Sequence, residues 1–442
     1  MDTEKIGVQN REERSADQQK YREQAGEIAS RSFQQLARLP GEPEELGYFK
    51  DVLKKVFVDH QVVRYRDDEK FVGSFCAAMP PELIRAAGAR PLRLCSNSFA
   101  GFSLGNYAMP GDVCPLVKAV VGNVTSGAGE LYNACDLFVV PVSCDCKKLL
   151  AGALSEVRPT IPLYLPLNRT DDGGMETYVR ELKKAAGRIS EMTGVKVTRQ
   201  ALAEEIKRQA DVQREILAFS KLKSEGEPLL CGTHALAVMN AMAYDDLSVW
   251  GSHLKRLNGE LRERKSRKAY LTGKKPPRIL LTGSPITFPN VKIPLLVEEQ
   301  GGVIVADETC LGDRGAGDLI SVCDDSLSGY YRALANRSVK PCSCPIFPEN
   351  EARIRRIEKA VRDARIDGIV YHVLRGCVVY DYEFEQFETY FGARGIPVIR
   401  LESDFSDEDV EPLRTRVDAF IEMLASKDRN GAAQFAQEQD RR

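Results

Sequence analysis

The chain has 442 residues, a net charge of −2, and 43% hydrophobic against 29% charged residues. That length predicts two or three domains, each able to bury a core, and the near-neutral balance gives no electrostatic case for nucleic acid or an anionic membrane as partner. No apolar run approaches the roughly 20 residues of a spanning helix, and the opening MDTEKIGVQNREERSADQQKYREQ is too polar for a secretory signal, so a cytoplasmic protein is expected.

Residues 1–45 read as a polar N-terminal arm and a short helix that LPGEPEE breaks. Residues 46–170 form a first α/β domain. Its strands are KFVGSF, RPLRLC, DLFVVPV and IPLYLPL, and its helix PPELIRAAG opens on proline. From 171 to 275 the pattern turns helical, with Tyr178, Leu182, Ala185 and Ile189 on one face. The basic run LNGELRERKSRKAYLTGKK in this segment reads as a solvated helix face. Residues 276–430 return to α/β, with strands in PRILLTGSP, VIVADETC, GIVYHV and IPVIRLESD and a last amphipathic helix VEPLRTRVDAFIEML. Residues 431–442 are a polar tail. Strands alternating with helices predict two doubly wound parallel-sheet domains, Rossmann- or flavodoxin-like, flanking a helical segment. The layout recurs: Cys76 precedes Pro81 by five residues, as Ser284 precedes Pro289, which suggests an approximate repeat.

Twelve cysteines against four histidines (His60, His234, His253 and His372) is the informative count. A reducing compartment disfavours structural disulfides, leaving buried apolar cysteines, reactive thiols or metal ligands. Two stretches match in outline. Cys114-Pro115 leads to Asp136, an apolar run and Cys144; Cys344-Pro345 leads to Asp367, an apolar run and Cys377. A cysteine ending a buried strand in both halves suggests a metal site between two similar domains. Cys76, Cys114, Cys144, Cys344 and Cys377 all fall at strand ends or loops of that kind, where a helix N-terminus would favour the thiolate. Cys95, Cys135, Cys231 and Cys323 read as small hydrophobes. Cys310 also ends a strand and stays open between the two readings. Cys146 and Cys342 make C-x-C pairs with Cys144 and Cys344, in which both thiols or only one would ligate. His372 is expected to meet packing or backbone partners, while Asp307, Glu308 and Arg314 stand at a strand end where substrate could be met. The spacings fit neither paired zinc C-x-x-C nor the ferredoxin run.

At FCAAMPPELIRAAGARPLRLC, GDVCPLVKA, CDLFVVPVSCDCKKL, GSPITFPNVK, VADETCLGDR and DGIVYHVLRGCVVYDYE the chain resembles the 2-hydroxyacyl-CoA dehydratase / benzoyl-CoA reductase family. PCSCPIFPENEARI looks most like the branch of double-cubane cluster proteins. The resemblance implies an iron–sulfur oxidoreductase or lyase, a cluster held between the two α/β domains, and a homodimer. It implies low-potential electrons from an ATP-dependent iron–sulfur activator protein, and a small-molecule or acyl-CoA substrate. Carried over by motif, Cys114, Cys144 and Cys377 are the foremost ligands. Cys76, Cys342 and Cys344 bring the set to six, three for each half of an 8Fe–9S double cubane. A single 4Fe–4S cluster in a dehydratase subunit with a dissimilar partner is the alternative, and a non-catalytic electron carrier a third. The family's CDGKKK reads CDCKKL here, making Cys146 a rival ligand. No catalytic residue follows from the resemblance.

Overall fold

The computed structural model describes residues 11–95, 98–167, 172–271, 275–316, 318–339, 344–347 and 349–439. The chain opens with helices α1 (Arg11–Leu36) and α2 (Leu46–Phe57). The first α/β unit follows: β1 (Phe71–Ser74), α3 (Pro81–Ala86), β2 (Arg90–Arg93), α4 (Phe99–Ala108), α5 (Pro115–Thr125), α6 (Glu130–Asn133), β3 (Leu137–Val142), α7 (Asp145–Ser155) and β4 (Thr160–Tyr164). Four helices come next, α8 (Asp172–Thr193), α9 (Arg199–Ser224), α10 (Gly232–Ala241) and α11 (Leu247–Ser266). The second unit holds β5 (Arg278–Gly283), α12 (Lys292–Glu299), β6 (Val303–Glu308), α13 (Leu327–Val339), α14 (Glu351–Asp363), β7 (Gly368–Leu374), α15 (Val378–Gly392), β8 (Val398–Ser403) and α16 (Val410–Gln439).

Each unit carries one four-stranded sheet, ordered β2-β1-β3-β4 and β6-β5-β7-β8, and every pairing is parallel. This is the predicted α/β class. Parallel strands are covered by helices on both faces, so their inner members read as continuous apolar runs. LFVVPV in β3 is buried up to its last residue, and VIVADE in β6 and GIVYHVL in β7 are buried throughout. Gly283 closes β5 at φ +110°, and a Cβ there would fall 2.0 Å from the His372 carbonyl oxygen. Only glycine lets β5 and β7 approach so closely as they reach the site.

In α8, Tyr178, Leu182, Ala185 and Ile189 are all buried, as their spacing predicts. Side-chain caps start α9 and α11: Thr198 accepts from the Ala201 amide, and Asp246 from those of Ser248 and Val249. The basic run ends its helix at Ser266, with Arg262, Lys265 and Arg267 exposed.

Both ends of the chain are more helical than their composition suggests. α1 is 26 residues long, and α16 runs on to Gln439 through much of the expected tail. The reason for α1 is tertiary. The Tyr21 hydroxyl donates to Asn123 of α5, Gln18 Nε2 to the Ser126 carbonyl at 3.0 Å, and Ser32 Oγ to the Pro289 carbonyl at 2.8 Å. The Leu36 carbonyl meets His234 Nε2 of α10 at 3.0 Å. The helix therefore braces the first unit against the second. One core packs α2, α10 and α11 on the second sheet, and another packs α5 and α7 on the first sheet together with Leu374 and Phe405 of the second unit. That shared core brings the C-terminal ends of the two sheets together. Among the described residues no helix is long and apolar enough to cross a membrane.

Candidate thiol centre

Three of the predicted cysteines begin helices. Cys114, Cys144 and Cys377 are the N-cap residues of α5, α7 and α15. Cys144 follows β3 and Cys377 follows β7, so both lie beyond strand C-termini, where parallel sheets take ligands. Cys114 is placed by the α4–α5 pair, whose backbones interlock through glycine. A Cβ on Gly105 would fall 2.0 Å from the Lys118 carbonyl oxygen, and one on Gly122 2.0 Å from that of Gly101.

Cys377 links the three, bonded to Cys114 and near enough to Cys144 to act on it. The Cys377 thiol donates to Cys114, and this bond, with the Leu116 and Val117 amides, holds Cys114 below the usual thiol range against the opposing effect of burial. The same bond, reinforced by burial, pushes Cys377 up, while the Ser284 hydroxyl acts the other way. Burial pushes Cys144 up, Lys147 opposes it, and Cys146 and Cys377 lie near enough to add to the rise. Beside Cys114 and Cys144 sits Lys147, a buried cation whose Nζ has no hydrogen-bond partner among the described residues and lies 5.6 Å from the Phe75 ring centroid. A buried ammonium without a partner is costly and marks where negative charge belongs.

Cys76, Cys310 and Cys344 line a separate cavity of about 190 Å³. Cys76 follows β1 and Cys310 follows β6, again beyond strand C-termini. Burial lifts Cys76 to about 11, with Cys344 and Cys310 adding to the rise and Arg93 countering it. Arg314 Nη2 donates to Cys310 Sγ at 2.8 Å and to Tyr380 Oη at 2.7 Å. The sequence alone leaves Cys310 open between hydrophobe and ligand; its position at the end of β6, like that of Cys76 after β1, is the signal that points to it. Cys342 lies outside the described residues.

The other candidates resolve as follows. Glu308 pairs with Arg353 and, at 3.5 Å, with Arg314, and Arg353 Nε donates to Glu383 at 2.9 Å, a buried charge network behind the cavity. Asp307 is buried and raised to about 6, chiefly by desolvation. Of the acidic and basic trio only Arg314 reaches the cavity. His372 meets the Ser284 carbonyl at 3.3 Å and Ser403 Oγ at 2.9 Å, the structural role expected of it. Cys95, Cys135 and Cys231 are buried and donate to the carbonyls of Phe75, Leu131 and Pro40. Cys323, expected to be a packed hydrophobe, is instead exposed in the loop before α13.

Among the described residues no three His, Cys, Asp or Glu side chains stand close enough to hold a single ion. The thiolates of an iron–sulfur cluster each bind a different iron, so they stand further apart than the ligands of one ion. A sulfur-only donor set at three helix N-termini, with an orphaned buried cation beside it, fits such a cluster in charge and chemistry.

The fold and thiols together define a two-unit α/β protein with cysteine centres where its parallel sheets end. Residues 76–424 match the family described as 2-hydroxyglutaryl-CoA dehydratase, D-component, and the chain belongs to that family of dehydratase enzymes. It is 30% identical over 356 residues to the putative dehydratase subunit YjiM of Escherichia coli K12, covering 80% of this chain and 91% of the relative. It is 24% identical over 382 residues to the (R)-phenyllactyl-CoA dehydratase beta subunit of Clostridium sporogenes, covering 85% and 97%. Against the (R)-2-hydroxyglutaryl-CoA dehydratase subunit beta of Acidaminococcus fermentans the identity is 21% over 365 residues, covering 80% and 93%. Such relatives favour the dehydratase-component reading over the stand-alone reductase.

Proposed function

We propose that the chain is a cytoplasmic component of a 2-hydroxyacyl-CoA dehydratase, holding one 4Fe–4S cluster on Cys114, Cys144 and Cys377. It would work beside a dissimilar second subunit, as the beta-subunit names of its relatives suggest. The observation that carries this reading is Lys147: a buried ammonium with no hydrogen-bond partner among the described residues, beside Cys114 and Cys144, two of the three helix-capping thiols. Bound there, the cluster would supply single electrons at low potential, delivered by an ATP-dependent iron–sulfur activator, to an acyl-CoA. The chain's own residues hold and shield it. The helix N-termini stabilise thiolates, Lys147 offsets their charge, and Phe102, Val113 and Phe405 exclude water around them. Cys114 and Cys377, in hydrogen-bond contact here, would part as a cluster seats between them.

A second reading rests on the cavity thiols. Cys76, Cys310 and Cys344 would hold the other half of an 8Fe–9S double cubane, with Cys310 in the place first given to Cys342, in a homodimeric reductase of small molecules. Iron and acid-labile sulfide per chain, after anaerobic purification, decide between the two. About four irons, lost in Cys144→Ser and poorly retained in Lys147→Met, support the dehydratase component. About eight irons, halved in Cys310→Ser, support the double cubane. Zinc, or no metal after reconstitution, sinks both.

A further inference from the structure

We propose that Ser284 is a positioning residue that sets the reduction potential of the thiol centre, by holding its hydroxyl on the Cys377 sulfur. This rests on the reading above, in which Cys114, Cys144 and Cys377 carry one iron–sulfur cluster.

Ser284 follows β5 directly, at the junction where Gly283 lets β5 and β7 close on each other. Its backbone amide donates to the His372 carbonyl at 2.8 Å, and its Oγ accepts from the Leu374 amide at 3.0 Å. The Cys377 amide donates in turn to the Leu374 carbonyl at 2.8 Å. One residue of β7 thus fixes both the serine and the cysteine. Ser284 is fully buried. With its oxygen already accepting, the hydroxyl has one proton left to place, and a buried hydroxyl without an acceptor is costly. The Cys377 sulfur accepts it.

The three thiols share another kind of donor. The Leu116 and Val117 amides serve Cys114, the Lys147 amide serves Cys144 and the Tyr380 amide serves Cys377, each from the first turn of the helix that the cysteine caps. The serine bond differs, because it reaches Cys377 from a neighbouring strand. Its place in the fold has a counterpart. β1 and β5 hold the same position in the two strand orders, and the residue five places before a proline is Cys76 after β1 but Ser284 after β5. The first unit puts a thiol there. The second puts a hydroxyl, suited to donate to a thiolate ligand rather than to replace one.

A thiolate ligand carries more negative charge once its cluster takes an electron. A hydrogen bond to that sulfur therefore stabilises the reduced state more than the oxidised one, and raises the potential. Burial strengthens the effect, since water does not compete and the local dielectric is low.

Redox titration of the anaerobically purified full chain, read by the cluster's visible absorption and EPR signals, tests the assignment. Ser284→Ala is expected to shift the one-electron equilibrium about tenfold against the reduced state, a midpoint about 59 mV lower. Ser284→Cys, of similar size but a weaker donor, should fall between the two at unchanged iron content. Iron per chain and melting temperature report separately on the lost Leu374 contact. A merely structural serine would lower both and leave the potential of the retained clusters in place. Midpoints equal to wild type in either variant, or loss of the cluster from both, overturn the assignment and leave the cluster reading standing. A wild type that holds no iron–sulfur cluster after reconstitution overturns the reading, and the assignment with it.

Discussion

His372 shows how a single buried side chain ties this fold to pH. It lies inside β7 with both ring nitrogens engaged, and burial, aided by Lys292, holds its pKa down to about 4 against the pull of the Ser284 carbonyl. In the unfolded chain the imidazole titrates near 6.5, so between these values the unfolded state binds more protons. The stability this residue contributes is fully present above about pH 6.5, falls as pH drops toward 4, and is level below that. By pH 5 the loss is about 2 kcal/mol. Melting curves of wild type and His372→Gln at pH 7 and pH 5 measure it. The wild type should lose several degrees more than the variant over that interval, and parallel losses would refute the assignment. The neighbouring Ser284 links the same strand pair to the thiol centre through Cys377, so the element that carries this histidine also positions a candidate ligand.

At the scale of elements, the α4–α5 pair is the most tightly specified part of the site. Gly122→Ala would drive a methyl group into the Gly101 carbonyl, and the helices could accommodate it only by separating. The expected cost is about 1–3 kcal/mol, and because α5 begins at Cys114, iron retention should fall with it. Unchanged melting temperature and iron content would show that the helices give way without consequence. Legibility followed the same elements. Cys144 and Cys377 could be read because each ends an apolar run of the kind that makes a buried parallel strand, and β3 and β7 stand where those runs predict. Tyr178 through Ile189 likewise announced a buried helix face. Cys310 was harder, since a cysteine after VIVADET is equally a small hydrophobe until the second sheet turns it toward Cys76. The polar sequence of α1 hid its length, because its buried apolar residues, Tyr21, Ala29 and Leu36, are few and widely spaced, and its remaining hold comes from polar contacts made by tertiary structure.

For the whole molecule, the brace formed by α1 sets how the two units hold together. Tyr21→Phe with Ser32→Ala removes the bonds of Tyr21 to Asn123 and Ser98 in the first unit and that of Ser32 to Pro289 in the second, and should cost about 1–3 kcal/mol in all. If α1 couples the units, urea unfolding of the double variant should broaden or split into two steps; a single transition shifted by the same amount would mean that the shared core alone joins them. The thiol centre depends on this coupling, since Cys114 and Cys144 come from one unit and Cys377 from the other.

The brace also has a history in time. Ser32 leaves the ribosome 257 residues ahead of Pro289, the carbonyl it will hold. At about 5–20 residues per second, that helix waits roughly 13 to 50 seconds for its distant partner to be made. An early-made segment rich in apolar residues would spend that interval exposed to aggregation or false docking. The charged and glutamine-rich composition of α1 suits it to that wait in water.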